Sequence, residues 1–174
     1  MTTDKINLSI LKIVDTYKEW LTDIDETRFQ ETPPIGGWSY SEVYMHIFDS
    51  NLLSLLATQN CIKGNGKEIS SLFLTKLILF FGSLPPGKRY KVPKRLESRV
   101  KKIDLAAAHQ LIFDFELQWT KTLPQTRTAN PKITVPHPRL GNLNANEWLR
   151  FIEIHFNHHL KQLSRIKNSF LQNH

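Results

Sequence analysis

Four stretches of this chain repeat apolar residues at steps of three and four, and no other feature limits the possible folds as strongly. A repeat of that period lines the apolar side chains along one face of an α-helix, where they need a partner surface. The stretches cover about residues 6–28, 40–58, 105–119 and 144–171. Four amphipathic helices can bury each other's apolar faces, so the pattern predicts an all-α fold, a four-helix bundle. No run of alternating apolar and polar residues predicts a strand.

Capping residues mark where two of these helices begin. Ser39 and Glu42 have the spacing of a capping box, in which each side chain binds the other residue's backbone N–H. Asn144 and Glu147 repeat that arrangement before the last helix. The whole length, residues 1–174, is typical of one domain, and we expect a single one.

Glycine and proline concentrate in the segments that connect the helices. A short apolar helix is expected at about residues 70–81, inside the connection between the second and third long helices. Four prolines make residues 122–143 a long loop before the last helix. Whether the chain forms a homodimer through this short apolar helix stays open.

The excess positive charge lies in one connecting segment. Between Lys88 and Lys102, eight basic residues stand against the single acid Glu97, which gives a net +7 for that segment. Prolines around it indicate a solvated or anion-attracting loop, and nucleic-acid binding is not expected. The single cysteine, Cys61, excludes an internal disulfide, no segment is apolar enough to cross a membrane, and the N-terminal residues do not resemble a signal peptide. We therefore expect a cytoplasmic protein.

Three histidines fall on helix faces that should point into the bundle. His155 and His159 are one helical turn apart on the apolar stripe of the last helix, and His46 lies on the stripe of the second helix. Neutral imidazole is a ligand for zinc and similar divalent ions, and three protein ligands leave a coordination position open. The alternative is that these are ordinary core histidines. His158 stands three residues after His155 and offers a different pair, but it lies one step off the stripe.

Three groups of residues resemble the DinB superfamily. They are Gly37-Trp38-Ser39 with Glu42 and His46, the run from His155 to Leu163, and His137-Pro138-Arg139-Leu140-Gly141 followed by Glu147-Trp148-Leu149. The first is similar to the family's W-S-x-x-E-x-x-x-H opening, and the second to its H-x-x-[basic]-H-L-x-Q signature.

The resemblance implies a four-helix bundle of up-down-down-up type, with a long crossover between helices 2 and 3 at about residues 61–102. It also implies a divalent metal ion, nickel or zinc, held by His46, His155 and His159. Characterised members of the family include thiol S-transferases that use bacillithiol, mycothiol or glutathione, and a mycothiol-dependent isomerase.

The function expected from these observations is metal-dependent chemistry on a small-molecule substrate. Thiol S-transfer with a low-molecular-weight thiol is the first candidate, and hydrolysis through a metal hydroxide is the second. A non-catalytic metal-binding or interaction module that uses the basic loop is the alternative, so whether the chain is an enzyme stays open and no catalytic residue is assigned. Gln162, Asp49, His158 and His137 are candidates for contacts around the metal or with substrate.

Overall fold

The computed structural model describes residues 2–83 and 98–172 and is mostly helical. The helices are α1 Thr3–Thr22, α2 Glu26–Gln30, α3 Tyr40–Ile62, α4 Phe73–Phe81, α5 Leu105–Thr122 and α6 Ala145–Leu171, with a 3-10 helix at Leu123–Thr128. The strands are β1 Lys67–Glu68, β2 Ile133–His137 and β3 Gly141–Asn144.

Helices α1, α3, α5 and α6 form the bundle, and contacts between them give their directions. The Tyr44 hydroxyl donates to the Tyr17 carbonyl, and the Trp20 and Tyr40 rings lie 6.0 Å apart, so α1 and α3 are antiparallel. Ser41 bonds the backbone of Ile103, just before α5, whereas Gln59 bonds Thr122 at the far end of α5.

Helix α3 is therefore parallel to α5, and α6 runs antiparallel to α3, since Tyr40 stacks on Phe170 while Asn51 contacts His155. The up-down-down-up bundle is confirmed, with its long crossover between α3 and α5. Within the two described ranges, no helix combines the length and the apolar character that a bilayer span requires.

A cluster of aromatic rings holds the four helices together. Tyr17, Tyr44, Phe48, Phe115 and Phe156 are each at most 1% exposed, and they come from all four bundle helices. Phe156 lies 5.0 Å from Phe115 and 5.3 Å from both Phe48 and Tyr17, measured between ring centroids. Burying one such ring stabilises a fold by roughly 1.5–3 kcal/mol, so this cluster fixes how α3 and α6 face each other.

Both predicted capping boxes are present. The Ser39 hydroxyl accepts from the backbone N–H of Glu42, whose carboxylate accepts from the backbone N–H of Ser39. Asn144 and Glu147 make the same pair of bonds at the start of α6. Each box fixes the residue at which its helix begins, and the helical period then sets which residues face inward.

The expectation that residues 122–143 form a plain loop was wrong. They contain the 3-10 helix and strand β2, which pairs antiparallel with β3 and β1 in a small sheet of order β1-β2-β3. These strands have two to five residues, and Pro136 lies inside β2, so no alternation of apolar and polar residues was visible. The first predicted helix is in fact two helices. Helix α1 ends with Asp23 as its C-cap, and α2 begins with Asp25 as its N-cap.

The crossover contains the short apolar helix α4, which starts at Phe73 rather than at residue 70. Its inner face packs through Ile78 and Leu79 against the bundle, while Phe80 and Phe81 are 79% and 71% exposed. Homodimerisation through α4 stays a prediction. Five of the eight bases between Lys88 and Lys102 lie at positions 84–97, outside the described residues.

Candidate metal centre

His46, His155 and His159 come together between α3 and α6. Each offers one ring nitrogen, and these three nitrogens all lie within 4.8 Å of one another. The Nε2 atoms of His155 and His159 are 3.2 Å apart. The i, i+4 spacing brings this pair together on one face of α6, and the antiparallel packing of α3 brings His46 opposite them.

The ring nitrogens that point away from the centre of the cluster have hydrogen-bond partners of their own. Asn51 Oδ1 lies 3.1 Å from His155 Nδ1, and Gln162 Oε1 lies 2.8 Å from His159 Nδ1. An amide oxygen can only accept, so each Nδ1 carries the proton and donates it. His46 Nδ1 lies 3.4 Å from the Ser50 hydroxyl. In His155 and His159 the Nε2 atom is therefore left with a lone pair.

Burial keeps these rings neutral. It lowers the pKa of His46 to about 4, and it lowers the pKa of His155 and of His159 well below the usual value, with a further lowering from the neighbouring histidines. At pH 7, neither His155 nor His159 therefore carries the second proton that would form a hydrogen bond between their two Nε2 atoms.

Two lone pairs 3.2 Å apart with no proton between them repel each other, and a cation relieves that repulsion. Two nitrogens at 2.0–2.1 Å from one tetrahedral zinc ion lie about 3.4 Å apart, close to the observed separation. Three neutral imidazoles with orienting partners are also the donor set that zinc and nickel accept. The residues present fit a divalent metal ion.

Aromatic rings close two sides of the cluster. Trp38 lies parallel to His159 at 6.5 Å between centroids and 5.0 Å from His46, and Phe151 stacks on His155 at 5.2 Å. Each of these aromatic rings covers one side of an imidazole of the cluster. A low local dielectric strengthens the attraction between the imidazoles and a cation.

The two carboxylates nearest in sequence to the cluster are both in ion pairs. Asp49 accepts two hydrogen bonds from Arg99, at 2.7 and 2.5 Å, and Glu153 pairs with Arg150. Arg99 is the first basic residue after the undescribed part of the crossover, so this pair anchors the crossover beside α3. Neither carboxylate is presented as a free base.

Two further predicted residues lie at the edges of the cluster. His158 is half-buried with its ring 5.1 Å from that of His159, and burial lowers its pKa. His137, at the end of β2, contacts Phe151 at 4.4 Å and Trp148 at 5.2 Å between centroids. It is thus separated from His155 by one aromatic ring. Gln162 has the role described above, as the partner of His159.

Sequence reasoning missed Asn51 and Phe151, and it used Trp38 only as part of the family motif. Asn51 is fully buried on the apolar stripe of α3, between Phe48 and Leu55. A polar residue on such a stripe needs a partner, and that signal would have singled it out. Phe151 carries no comparable signal, because an aromatic residue on the inner face of a helix is ordinary core. Trp38 stands in the W-S-x-x-E-x-x-x-H motif, but its place at a helix start indicated packing at the end of the bundle rather than a contact with the histidines.

Comparison with known proteins agrees with this architecture. The model of the DinB superfamily matches residues 13–163. TT2238, "a four-helix bundle protein", has 18% sequence identity and a TM-score of 0.62 over 94% of this chain and 99% of that one. YfiT from Bacillus subtilis, "a probable metal-dependent hydrolase with an unusual four-helix bundle topology", has 16% identity and a TM-score of 0.64 over 95% of this chain and 86% of its own. No curated protein matches the chain in sequence.

Proposed function

The chain belongs to the DinB superfamily, and from that premise we propose that it is a divalent-metal-dependent enzyme acting on a small molecule. The observation that carries the proposal is the pair of Nε2 lone pairs on His155 and His159, 3.2 Å apart, with His46 completing the set. Zinc or nickel is the expected ion. Three protein ligands leave a position for substrate, which is typical of catalytic rather than structural sites.

A divalent ion bound by neutral ligands supplies a full positive charge that lowers the pKa of a thiol or water toward neutrality. The chain's own residues hold the geometry in which that charge acts. Asn51 and Gln162 keep the protons of His155 and His159 on Nδ1, so both Nε2 atoms stay available. Trp38 stacks on His159 and Phe151 stacks on His155, so one face of each imidazole is covered by an aromatic ring.

Thiol S-transfer is the reaction that we favour. In this reaction a thiolate sulfur bonds to an electrophilic carbon, and the leaving group departs with the bonding electron pair. A thiol that has lost its proton is already a strong nucleophile, whereas activation of water benefits from a nearby general base. Asp49 and Glu153 are both paired with arginines, so this site offers no free carboxylate in either position for hydrolysis.

Hydrolysis is the second candidate, because the similar structure YfiT is named as a probable metal-dependent hydrolase. A non-catalytic module that binds through the basic segment is the remaining alternative. It requires no ion at the three histidines.

The test compares zinc- or nickel-loaded protein with two variants, His155→Ala and His109→Ala. His109 is an exposed histidine on α5 and serves as the matched control. Each protein is assayed for conjugation of a thiol such as glutathione to an aromatic halide, and for hydrolysis of a p-nitrophenyl ester. We expect metal-dependent conjugation that His155→Ala abolishes and His109→Ala retains. Ester hydrolysis with that dependence would favour the second candidate, and the absence of both activities in metal-loaded protein would favour the module.

A further inference from the structure

Helix α4 presents large apolar side chains on both of its sides. Ile78 and Leu79 face the bundle and are each 8% exposed. The outer face is formed by four side chains that are 63–79% exposed: Phe73, Leu74, Phe80 and Phe81. A helix that is apolar all round is normally buried all round. In the part of the chain that the structure describes, this outer face of α4 is left open to solvent.

Contacts on the inner side hold α4 in this orientation. The Thr75 hydroxyl donates to the Leu140 carbonyl at 2.6 Å, and Arg150 Nε donates to the Leu79 carbonyl at 2.9 Å. Thr75 is 2% exposed, so the first of these bonds is shielded from water. Turning the outer face inward would break both bonds and expose Ile78 and Leu79. The outer face is therefore a fixed surface of the folded protein.

The chain that follows α4 is strongly basic. The segment between Lys88 and Lys102 has a net charge of +7, and no acidic residue stands between Gly82 and Lys88. Lys88 is six residues after Gly82, a separation that an extended chain spans in about 22 Å at most. Covalent geometry alone thus keeps this charge close to the C-terminal end of α4. The charged residue within α4, Lys76, is also a base, and it is exposed.

An anionic lipid surface matches both features. The boundary between headgroups and acyl chains accepts apolar and aromatic side chains, and anionic headgroups attract clusters of about four to eight basic residues. A second copy of this chain would cover the apolar face, but a two-fold interface joins the same patch of each copy and would bring two segments of +7 together. A nucleic acid would match the charge and leave the apolar face uncovered.

We propose that the outer face of α4 binds the surface of a membrane that contains anionic lipids. In this arrangement Phe80 and Phe81 enter the headgroup region, and Lys76, one helical turn before Phe80, lies beside lipid phosphates. The positive charge that follows α4 in the chain attracts the protein to such a surface. The contact involves one leaflet, so it does not require a helix long enough to span the bilayer. The proposal is independent of the metal centre, because α4 carries none of the three histidines.

The test is flotation of the whole chain with vesicles on a density gradient. One set of vesicles contains phosphatidylcholine and phosphatidylglycerol in equal parts, and the other contains phosphatidylcholine alone. Wild type is compared with Lys76→Gln and with the double variant Phe80→Ser, Phe81→Ser. The matched control is the double variant Phe113→Ser, Leu117→Ser, which replaces two exposed apolar residues of α5.

We expect wild type and the α5 control to float with the anionic vesicles, to stay behind with the neutral ones, and to be released by added salt. The double variant of Phe80 and Phe81 should bind about tenfold or more weakly with an unchanged melting temperature, because two apolar rings no longer leave water. Lys76→Gln should bind about fivefold more weakly, the effect of one base near an anionic surface.

Three results would overturn the inference. Wild type does not float with anionic vesicles, or it floats equally well with neutral ones, or the Phe80 and Phe81 variant floats as wild type does. Sedimentation of the same samples without lipid identifies the other occupant. A wild-type dimer that this variant converts to a monomer, together with no flotation, would assign the outer face of α4 to a second copy of the chain.

Discussion

Replacing Asn51 by leucine should weaken metal binding without unfolding the protein. Asn51 Oδ1 accepts the Nδ1–H of His155, and this bond keeps the His155 lone pair on Nε2. Without Asn51, the proton can move to Nε2 and be donated to His159 Nε2, which lies 3.2 Å away. A metal ion must then displace that proton before His155 can bind it.

The substitution should change metal affinity more clearly than it changes the stability of the metal-free protein. Loss of a hydrogen-bond partner of a metal ligand lowers metal affinity by about 10- to 100-fold, which corresponds to about 1.4–2.7 kcal/mol. In the metal-free protein, Asn51 Nδ2 is buried without a partner, at a cost of roughly 1–3 kcal/mol. Leucine of similar volume removes that cost and one hydrogen bond of about 0.5–1.5 kcal/mol, so the net change in stability is within about 2 kcal/mol.

The assay is zinc competition against a chromogenic chelator, with urea unfolding of the metal-free protein beside it. Asn157→Leu is the matched control, because Asn157 lies on the same helix as His155 but bonds the backbone of Glu153. Metal affinity should fall in Asn51→Leu and not in Asn157→Leu. Equal zinc affinity in Asn51→Leu and wild type would refute the tautomer argument.

Further predictions concern pH and charge. Metal-free protein should lose stability to urea as pH falls from about 6.5 toward 4, by up to about 1.4 kcal/mol per pH unit for each histidine. The sign follows because the unfolded chain takes up protons near pH 6.5, whereas burial lowers the pKa of His46 and of His137 to about 4 in the folded state; a flat profile would contradict this. Metal loading should raise the melting temperature at pH 7.5, by the equivalent of about 2.7 kcal/mol at 100 times the dissociation constant, and the rise should persist at pH 5.5 but be absent in His155→Ala. Loss of the rise by pH 6 would show that the histidines titrate normally. Asp49→Asn should change stability by less than about 1 kcal/mol, because its partner Arg99 is half-exposed, and should leave metal content unchanged; a hundredfold loss of ester hydrolysis would instead identify Asp49 as a base.

The parts of the site that could be predicted from the sequence depend on local spacing. His155 and His159 share the apolar stripe of one helix, and the capping residues set the phase of that stripe. His46 required only that a second helix present its own stripe to the same interior. Helical period and the burial of apolar faces are therefore enough to predict both the four-helix bundle and the position of the three histidines in its interior.

The parts that could not be predicted depend on contacts between distant positions. Asn51 and His155 are separated by 104 positions, and Asp49 and Arg99 by 50. Hydrophobic periodicity does not predict such pairs, because they depend on the register of one helix against another or against the crossover. The hairpin that fixes His137 was hidden for another reason, since its strands are too short to show an alternating pattern.

Metal content shows whether the three histidines hold an ion. Wild type, His155→Ala, His159→Ala and the control His109→Ala are purified under the same conditions, exposed to zinc or nickel, desalted and measured by elemental analysis. We predict close to one divalent ion per chain in wild type and in His109→Ala, and a large loss in the other two variants. Wild type that retains no ion, or that retains as much as His155→Ala and His159→Ala, would make the three histidines ordinary core residues.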